Sequence, residues 1–420
     1  MLGDCYGTCV VLPRFRFLIL VCLAVLLVPA SAHANDLLAR QGVDQLLHLQ
    51  FDQADQTFAR LERENPAYPL VGFLKASVYW VRAEAGQGEA RKALWLEAER
   101  RLEKTIAHSE QMLEKHPDNI RWRLNLGMSQ FFYARVQVEM QRLFKTIKYA
   151  RAGRDSLREL IEAHPDMEDA YFVLGMYEYI AGSVPRGLKW LTYLLDISGD
   201  RNLGIRYLER ATANARIMAP EAARMLLAAA ALQPEYAAPC KYLTLSRQAV
   251  ALYPENPHYS GANQLILVHC GYPDEALKEN RRAFATFLER FPDMTGPLNL
   301  VKLQVYPAIG AMDKIKEMAP LFAKKDYAHW YLAKAQTYDV IGQRKKAERM
   351  YREIVFAADN PDDTTVFWDT PPDFVVEKAE LYLKQPYRRP VPVKVGTGAL
   401  RMHETKRGQK PVQANRSAGR

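Results

Sequence analysis

Apolar residues along this chain recur every three or four positions, the spacing that puts one stripe on one face of a helix. The clearest stretch sets Trp95, Ala98, Leu102, Ile106, Ser109 and Leu113 on one side and Glu97, Glu99, Arg100, Glu103 and Lys104 on the other. Nowhere does a useful run of period-two alternation appear, so no sheet is expected. Read this way, the chain divides into helix pairs at 36–64, 69–115, 119–163, 168–215, 219–253, 258–290, 296–324 and 327–357. From Tyr171 to Ile180 the pattern is apolar nearly all round, with Glu178 the only charge, and such a helix must be enclosed on every side. Periodicity stops in the acidic, proline-containing stretch from Asp359 to Asp373, after which a short helix at 373–384 is expected to cap the array.

The helices repeat. His116-Pro117-Asp118 returns as His164-Pro165-Asp166, and Leu126-Gly127 returns as Leu174-Gly175, both after 48 residues. Proline cannot continue a helix and Asp or Asn caps the next one, so each copy marks a hairpin corner. The glycine gives a neighbouring helix room to come close.

These residues resemble the tetratricopeptide repeat, in which an aromatic, a Leu-Gly pair, an alanine, a second aromatic and a closing proline recur. The first copy is similar in Gly42, Ala54, Phe58, Leu61 and Pro66, with Leu38 where the family prefers an aromatic. The last copy is Tyr331, Ala335, Tyr338, Gly342, Ala347, Tyr351 and Ile354, with Ala335 in place of the glycine and Pro361 coming late. The resemblance implies an all-α fold, a right-handed superhelix of helical hairpins (an α-solenoid). The 48-residue copies exceed the family's period by about four helical turns, so the central repeats should be elongated. The first helix of each repeat would line a concave surface, placing Arg121, Leu124, Met128, Phe132, Asp169, Phe172, Met176 and Tyr179 against a ligand. The competing reading makes the same methionines and aromatics central core, where the superhelix packs on itself. A second, local likeness runs from Pro185 to Gly204, where a leucine-rich helix precedes Gly199-Asp200-Arg201. It is similar to eukaryotic outer-membrane tetratricopeptide proteins of inclusion-body clearance. Physically, Ser198 or Asp200 caps the following helix and Arg201 ties the turn to a neighbour.

Charge then sharpens the boundaries. The chain of 420 residues carries a net +9, but from Tyr387 onward nine basic residues face one acid, Glu404. The body between residues 35 and 386 has no net charge, so it offers no electrostatic footprint for nucleic acid. Residues 1–34 have the parts of a secretory signal: Arg14 and Arg16, the apolar run Phe17–Val28, then Pro29 and the small-x-small sequence Ala32-His33-Ala34. Cleavage is expected after Ala34, because 12 apolar residues fall short of the roughly 20 a spanning helix needs. The organisation read from sequence is thus a signal at 1–34, a repeat array at 35–360, a loop and short helix at 361–386, and a disordered basic tail at 387–420. Of five cysteines, Cys240 and Cys270 remain after cleavage. Both stand 15 residues from position 255, inside the turn Tyr253-Pro254-Glu255-Asn256-Pro257, so an antiparallel helix pair would set them at the same height. They are either a disulfide or two small buried apolar groups.

Catalytic signatures are missing: no Gly-x-Ser-x-Gly, no His-Glu-x-x-His, no Cys-x-x-Cys and no glycine-rich phosphate turn. His116 and His164 precede prolines at helix ends, where an imidazole suits the carbonyl terminus. The acids Asp359, Asp362 and Asp363 match no calcium loop. Neither cofactor nor metal is therefore expected. The sequence points to an exported, periplasmic or envelope-associated scaffold that binds a protein, a peptide or an apolar partner during assembly, secretion or polymer export. Its tail would add weak contact with anionic lipid or envelope polymer. Two other classes stay open: a membrane-surface protein using Leu188, Trp190, Leu191, Tyr193 and Leu194, and a helical-repeat enzyme whose site sequence spacing does not show.

Overall fold

The computed structural model describes residues 34–85, 88–184, 195–233, 238–291, 295–322, 327–360, 371–393 and 400. The signal segment, most of the leucine-rich stretch after Pro185, the acids Asp362 and Asp363, and the tail beyond Arg401 lie outside the described residues.

Among the described residues there are seventeen α-helices and no strand. We number them in chain order: α1 (34–47), α2 (Phe51–Glu64), α3 (Val71–Glu84), α4 (Gly88–Lys115), α5 (Ile120–Glu139), α6 (Leu143–Ala163), α7 (Glu168–Gly182), α8 (Arg201–Asn214) and α9 (Ala219–Leu232). There follow α10 (Leu243–Leu252), α11 (Pro257–His269), α12 (Pro273–Phe287), α13 (Thr295–Ile309), α14 (Met312–Glu317), α15 (Tyr327–Val340), α16 (Arg344–Asp359) and α17 (Asp373–Lys384). The helix pairs read from sequence match these to within a few residues. The expected elongation is visible in α4, α5 and α6, with 28, 20 and 21 residues against 14 in both α2 and α3.

From α2 on, helices adjacent in sequence pack against one another, except α9 and α10, which both pack on the 3-10 turn Pro239–Tyr242 between them; from α3 to α17 the odd-numbered helices also touch one another in one continuous stack. The corners follow the sequence signals in part, since α7, after His164-Pro165-Asp166, starts from Met167 with no side-chain cap. Asn119 accepts the N–H groups of Arg121 and Trp122, and Asp200 accepts those of Asn202 and Leu203, each capping its helix. Arg201 donates to the Gly182 carbonyl and ties the turn to α7.

The repeated glycines occupy equivalent places. A Cβ on Gly127 would lie 2.5 Å from Leu157 and 3.3 Å from the Gly153 carbonyl; one on Gly175 would lie 2.9 Å from Leu208 and 3.0 Å from the Gly204 carbonyl. In both units a glycine faces a glycine, with a leucine one turn further on. Only a missing side chain lets α5 cross α6, and α7 cross α8, this closely.

Both ends of the array fold back onto it. α1 lies against helices far along the chain: Tyr253 Oη donates to Asp44 at 2.8 Å, Asn256 Nδ2 donates to the Leu47 carbonyl at 2.9 Å, and Arg40 donates to the Arg216 carbonyl. At the other end the chain after Tyr387, expected to be disordered, runs as far as Val393 along the carboxyl termini of the odd helices. The Tyr387 N–H binds Asp339, Arg389 binds the Ile309 carbonyl, and the Val393 N–H binds the Cys270 carbonyl. Two of these contacts meet carbonyls that a helix end leaves without partners, and the first meets the Asp339 carboxylate. Gly271, at φ +82°, lies directly under Val391. Cys240 and Cys270 are joined in a disulfide with Cα atoms 5.4 Å apart.

Candidate functional site

Three cavities lie along the odd-helix stack. The smallest, about 170 Å³, sits where α1, α3, α5 and α7 begin and is lined by Asp36, Tyr68, Arg121, Leu124, Asp169 and Arg216 among others. Asp36 accepts the Tyr68 hydroxyl at 2.8 Å and approaches Arg121 at 3.5 Å. Burial, then the Asp36 charge, pushes the Tyr68 hydroxyl well above the usual phenol range. Asp169 is only 6 % exposed and accepts the backbone N–H groups of Arg216, Ile217 and Met218 at 3.2, 2.9 and 2.7 Å. It holds the start of α9 to the start of α7. Burial raises its carboxyl pKa, and the three amides oppose that rise. Asp169 therefore acts as a strut between units and is committed to backbone, whatever ligand lies nearby.

The largest of the three, about 400 Å³, is walled by α1, α3, the first turn of α4, α5, α7, α9 and the first turn of α11. Val43 and Leu46 of α1 face Phe73, Trp80, Phe131 and Phe132 across it. Trp80 and Phe132 stack with ring centroids 4.6 Å apart. Ionisable groups also reach this wall. Arg135 lies 3.5 Å from Glu84, Arg91 binds Glu139 at 3.1 Å, and Arg224 binds Glu221 at 2.6 Å. His258 is exposed to the cavity, with protein on the surrounding sides. Burial, then the Arg224 charge, holds its pKa down to about 4, so it is neutral at pH 7.

Arg224 and His258 also line the third cavity, so the two adjoin. This one measures about 310 Å³ and is walled by α9, α11, α13, the first turn of α15 and α17. Its surface is mainly Ala228, Ala231, Leu232, Gly261, Ala262, Leu265, Leu298, Leu300, Val301 and Phe374, with Gln304, His269, His329 and Lys378 as further polar groups. Leu232, 62 % exposed, stands at its rim. His269 Nε2 lies 3.1 Å from the Ala231 carbonyl, and burial, then the Lys378 charge, holds its pKa to about 4. No group of three or more His, Cys, Asp or Glu suited to a metal occurs among the described residues.

The eight residues that the family resemblance placed in a groove are thus distributed over different surroundings. Phe132 and Met176 line the largest cavity; Arg121, Leu124 and Asp169 line the smallest. Met128 and Phe172 are buried in the core, and Tyr179 is half-buried against it. Five of the eight thus line a cavity and three do not. Sequence reasoning missed Arg224, His258, Gly261, His269 and Lys378. The available signal was the run of small residues in Ala219–Leu232 together with a glycine inside α11.

A scan against protein-family models and a search of curated proteins found no match to this chain. The tetratricopeptide resemblance therefore rests on its residues alone. No described helix is long and apolar enough to cross a membrane.

Proposed function

We propose that this chain is an exported helical-repeat scaffold of the tetratricopeptide type, which holds the apolar part of a partner in the cell envelope. The observation that carries the reading is the pair of adjoining cavities, about 400 and 310 Å³, walled mainly by apolar side chains of the odd-helix stack. Cavities of this size and lining bind ligands in many proteins. The Cys240–Cys270 bridge supports an oxidising compartment, in keeping with the signal-like residues 1–34.

An enzyme reading draws on the six ionisable residues around the larger cavity. Glu84 and Glu221 are each engaged by an arginine, and the Ser77 hydroxyl donates to the Leu74 carbonyl, so neither carboxylate is a free base and the hydroxyl is turned to backbone. That chemistry favours holding over turnover.

The test is capture from an envelope extract with wild type and the double variant Ile180→Asp plus Leu232→Asp. Both side chains are exposed at cavity margins, so the fold should survive. Loss of the captured partner is expected. An unchanged captured set with a folded variant would remove the proposal.

A further inference from the structure

The last three helices carry a core of their own. Leu332, Ala335, Tyr351, Ile354, Val375 and Ala379 of α15, α16 and α17 are buried among themselves, apart from the main core that runs from α1 to α13. This unit meets the body chiefly along α13, α14 and the turn Ala319–Phe322, where Trp330 of α15 donates to the Ile315 carbonyl at 2.8 Å. A unit joined along one seam can swing about it. Next to that seam the 310 Å³ cavity separates Phe374 and Lys378 of α17 from Ala228, Leu232 and Leu265 of α9 and α11.

One further connection crosses the joint. After α17 the chain runs back over three odd-helix ends. The Tyr387 N–H donates to Asp339 of α15 at 2.8 Å, Arg389 Nη2 donates to the Ile309 carbonyl of α13 at 3.1 Å, and the Val393 N–H donates to the Cys270 carbonyl after α11 at 3.1 Å. Tyr272 Oη also donates to the Val393 carbonyl at 3.3 Å. The far end of this strap therefore rests on the main array, where α11 and the bridge to Cys240 hold Cys270. The fit there is close, as any side chain on Gly271 would run into the Val391 backbone. Yet the strap buries little, since Val391 is 73 % exposed and Val393 42 %. A segment held by a few polar bonds at a solvent-facing surface, with little apolar burial, belongs to the part of a fold that opens most readily.

We propose that residues 387–393 are a latch: they tie the α15–α17 unit to the end of α11, and their release lets that unit swing about α13 and changes the width of the cavity. The inference concerns how one cavity wall is held and does not rest on what the cavity binds. Two measurements on the full chain test it. Native hydrogen exchange should find the Val393 amide about a hundredfold or more faster than those of Leu267 and Val268 in α11. Spin labels at Leu232→Cys and Leu381→Cys, exposed sites on α9 and α17, report the width by electron–electron dipolar spectroscopy in a chain with Cys5, Cys9 and Cys22 changed to Ser and the Cys240–Cys270 bridge intact. One distance is expected with the native strap. A second, longer one is expected in Arg389→Ala plus Val393→Pro, which removes two of the strap's bonds. Val391→Ala breaks no bond and should give the native distance. Exchange at Val393 as slow as in α11, or an unchanged distance in the folded double variant, would each overturn the proposal. A double variant that does not fold would make the strap part of the fixed fold, and the latch would fall with it.

Discussion

Asp169 offers the sharpest test of how the units are joined. Its carboxylate accepts three backbone N–H groups at the corner before α9, and those of Ile217 and Met218 are buried. Asp169→Ala leaves both without an acceptor. At about 1–3 kcal/mol for each buried donor left unsatisfied, the loss is roughly 2–6 kcal/mol. Removing a buried charge returns part of that, since burial already raises this carboxyl pKa. A net destabilisation of about 3 kcal/mol follows. Asp169→Asn keeps an oxygen in place of the one that accepts from Ile217 and Met218, and should cost about 1 kcal/mol. Urea melts give the total, but a repeat array can unfold in parts, so the local readout is better. Hydrogen exchange at the amides of residues 216–218 should speed up in the alanine variant, ahead of amides in α3. Equal effects of Asn and Ala, or unchanged exchange at Ile217 and Met218, would refute the strut.

Four further outcomes follow from the same geometry. Gly175→Ala pushes a Cβ against Leu208 and the Gly204 carbonyl and should cost about 1–3 kcal/mol, whereas Gly261→Ala enters open space and should gain about 0.5–1 kcal/mol in thermal or urea melts. His269 has a folded pKa near 4 against an ordinary 6.5, so the unfolded chain binds the extra proton between those values; it should contribute a fall in stability of about 2 kcal/mol from pH 7 to pH 5, which His269→Gln removes while the fall due to His258 remains. Breaking the Cys240–Cys270 bridge, which closes a separation of 30 residues, should cost about 3.5 kcal/mol, measured as the difference between oxidised chain and the Cys240→Ser plus Cys270→Ser variant. Asn256→Asp keeps the cap on the His258 N–H but sets a carboxylate against the Leu47 carbonyl, so exchange should rise in α1 while α11 stays protected.

The local signals in the sequence were strong wherever one residue type has one physical use. Proline and Asn119 marked the start of α5, Asp200 marked α8, and the phase shared by Gly127 and Gly175 announced two equivalent helix crossings. Helix rise alone sets Cys240 and Cys270 level about their turn, which left a bridge as one of two readings until the structure joined them. What stayed hidden depends on contacts between distant segments. Tyr253 and Asp44 are 209 residues apart, and no local pattern says that α1 will meet α11. The strap from Tyr387 to Val393 reads as a polar tail because it is held by a few polar bonds to distant helix ends, from Tyr387 to Asp339, from Arg389 to Ile309 and from Val393 to Cys270. The cavities were hidden for a related reason: apolar periodicity shows which face is covered, whereas a void shows itself only through residues that are smaller than their surroundings require.

The two chain ends decide what kind of surface this array offers. A repeat stack with free ends presents a long open wall, and a partner can lie along it. Here α1 supplies Val43 and Leu46 as the far wall of one cavity, and α17 supplies Phe374 and Lys378 to the other. Asn256 links the closure to the array itself, since one side chain caps α11 through its oxygen and grips α1 through its nitrogen. Polar groups used this way are committed to the fold. On the proposed reading, what remains for a partner is cavity volume: apolar space with exposed side chains such as Ile180 and Leu232 at its margins. A folded protein cannot enter cavities of 400 and 310 Å³, but a hydrocarbon chain or a few apolar side chains can. The ends of the chain thus narrow the choice of partner more than the repeats do.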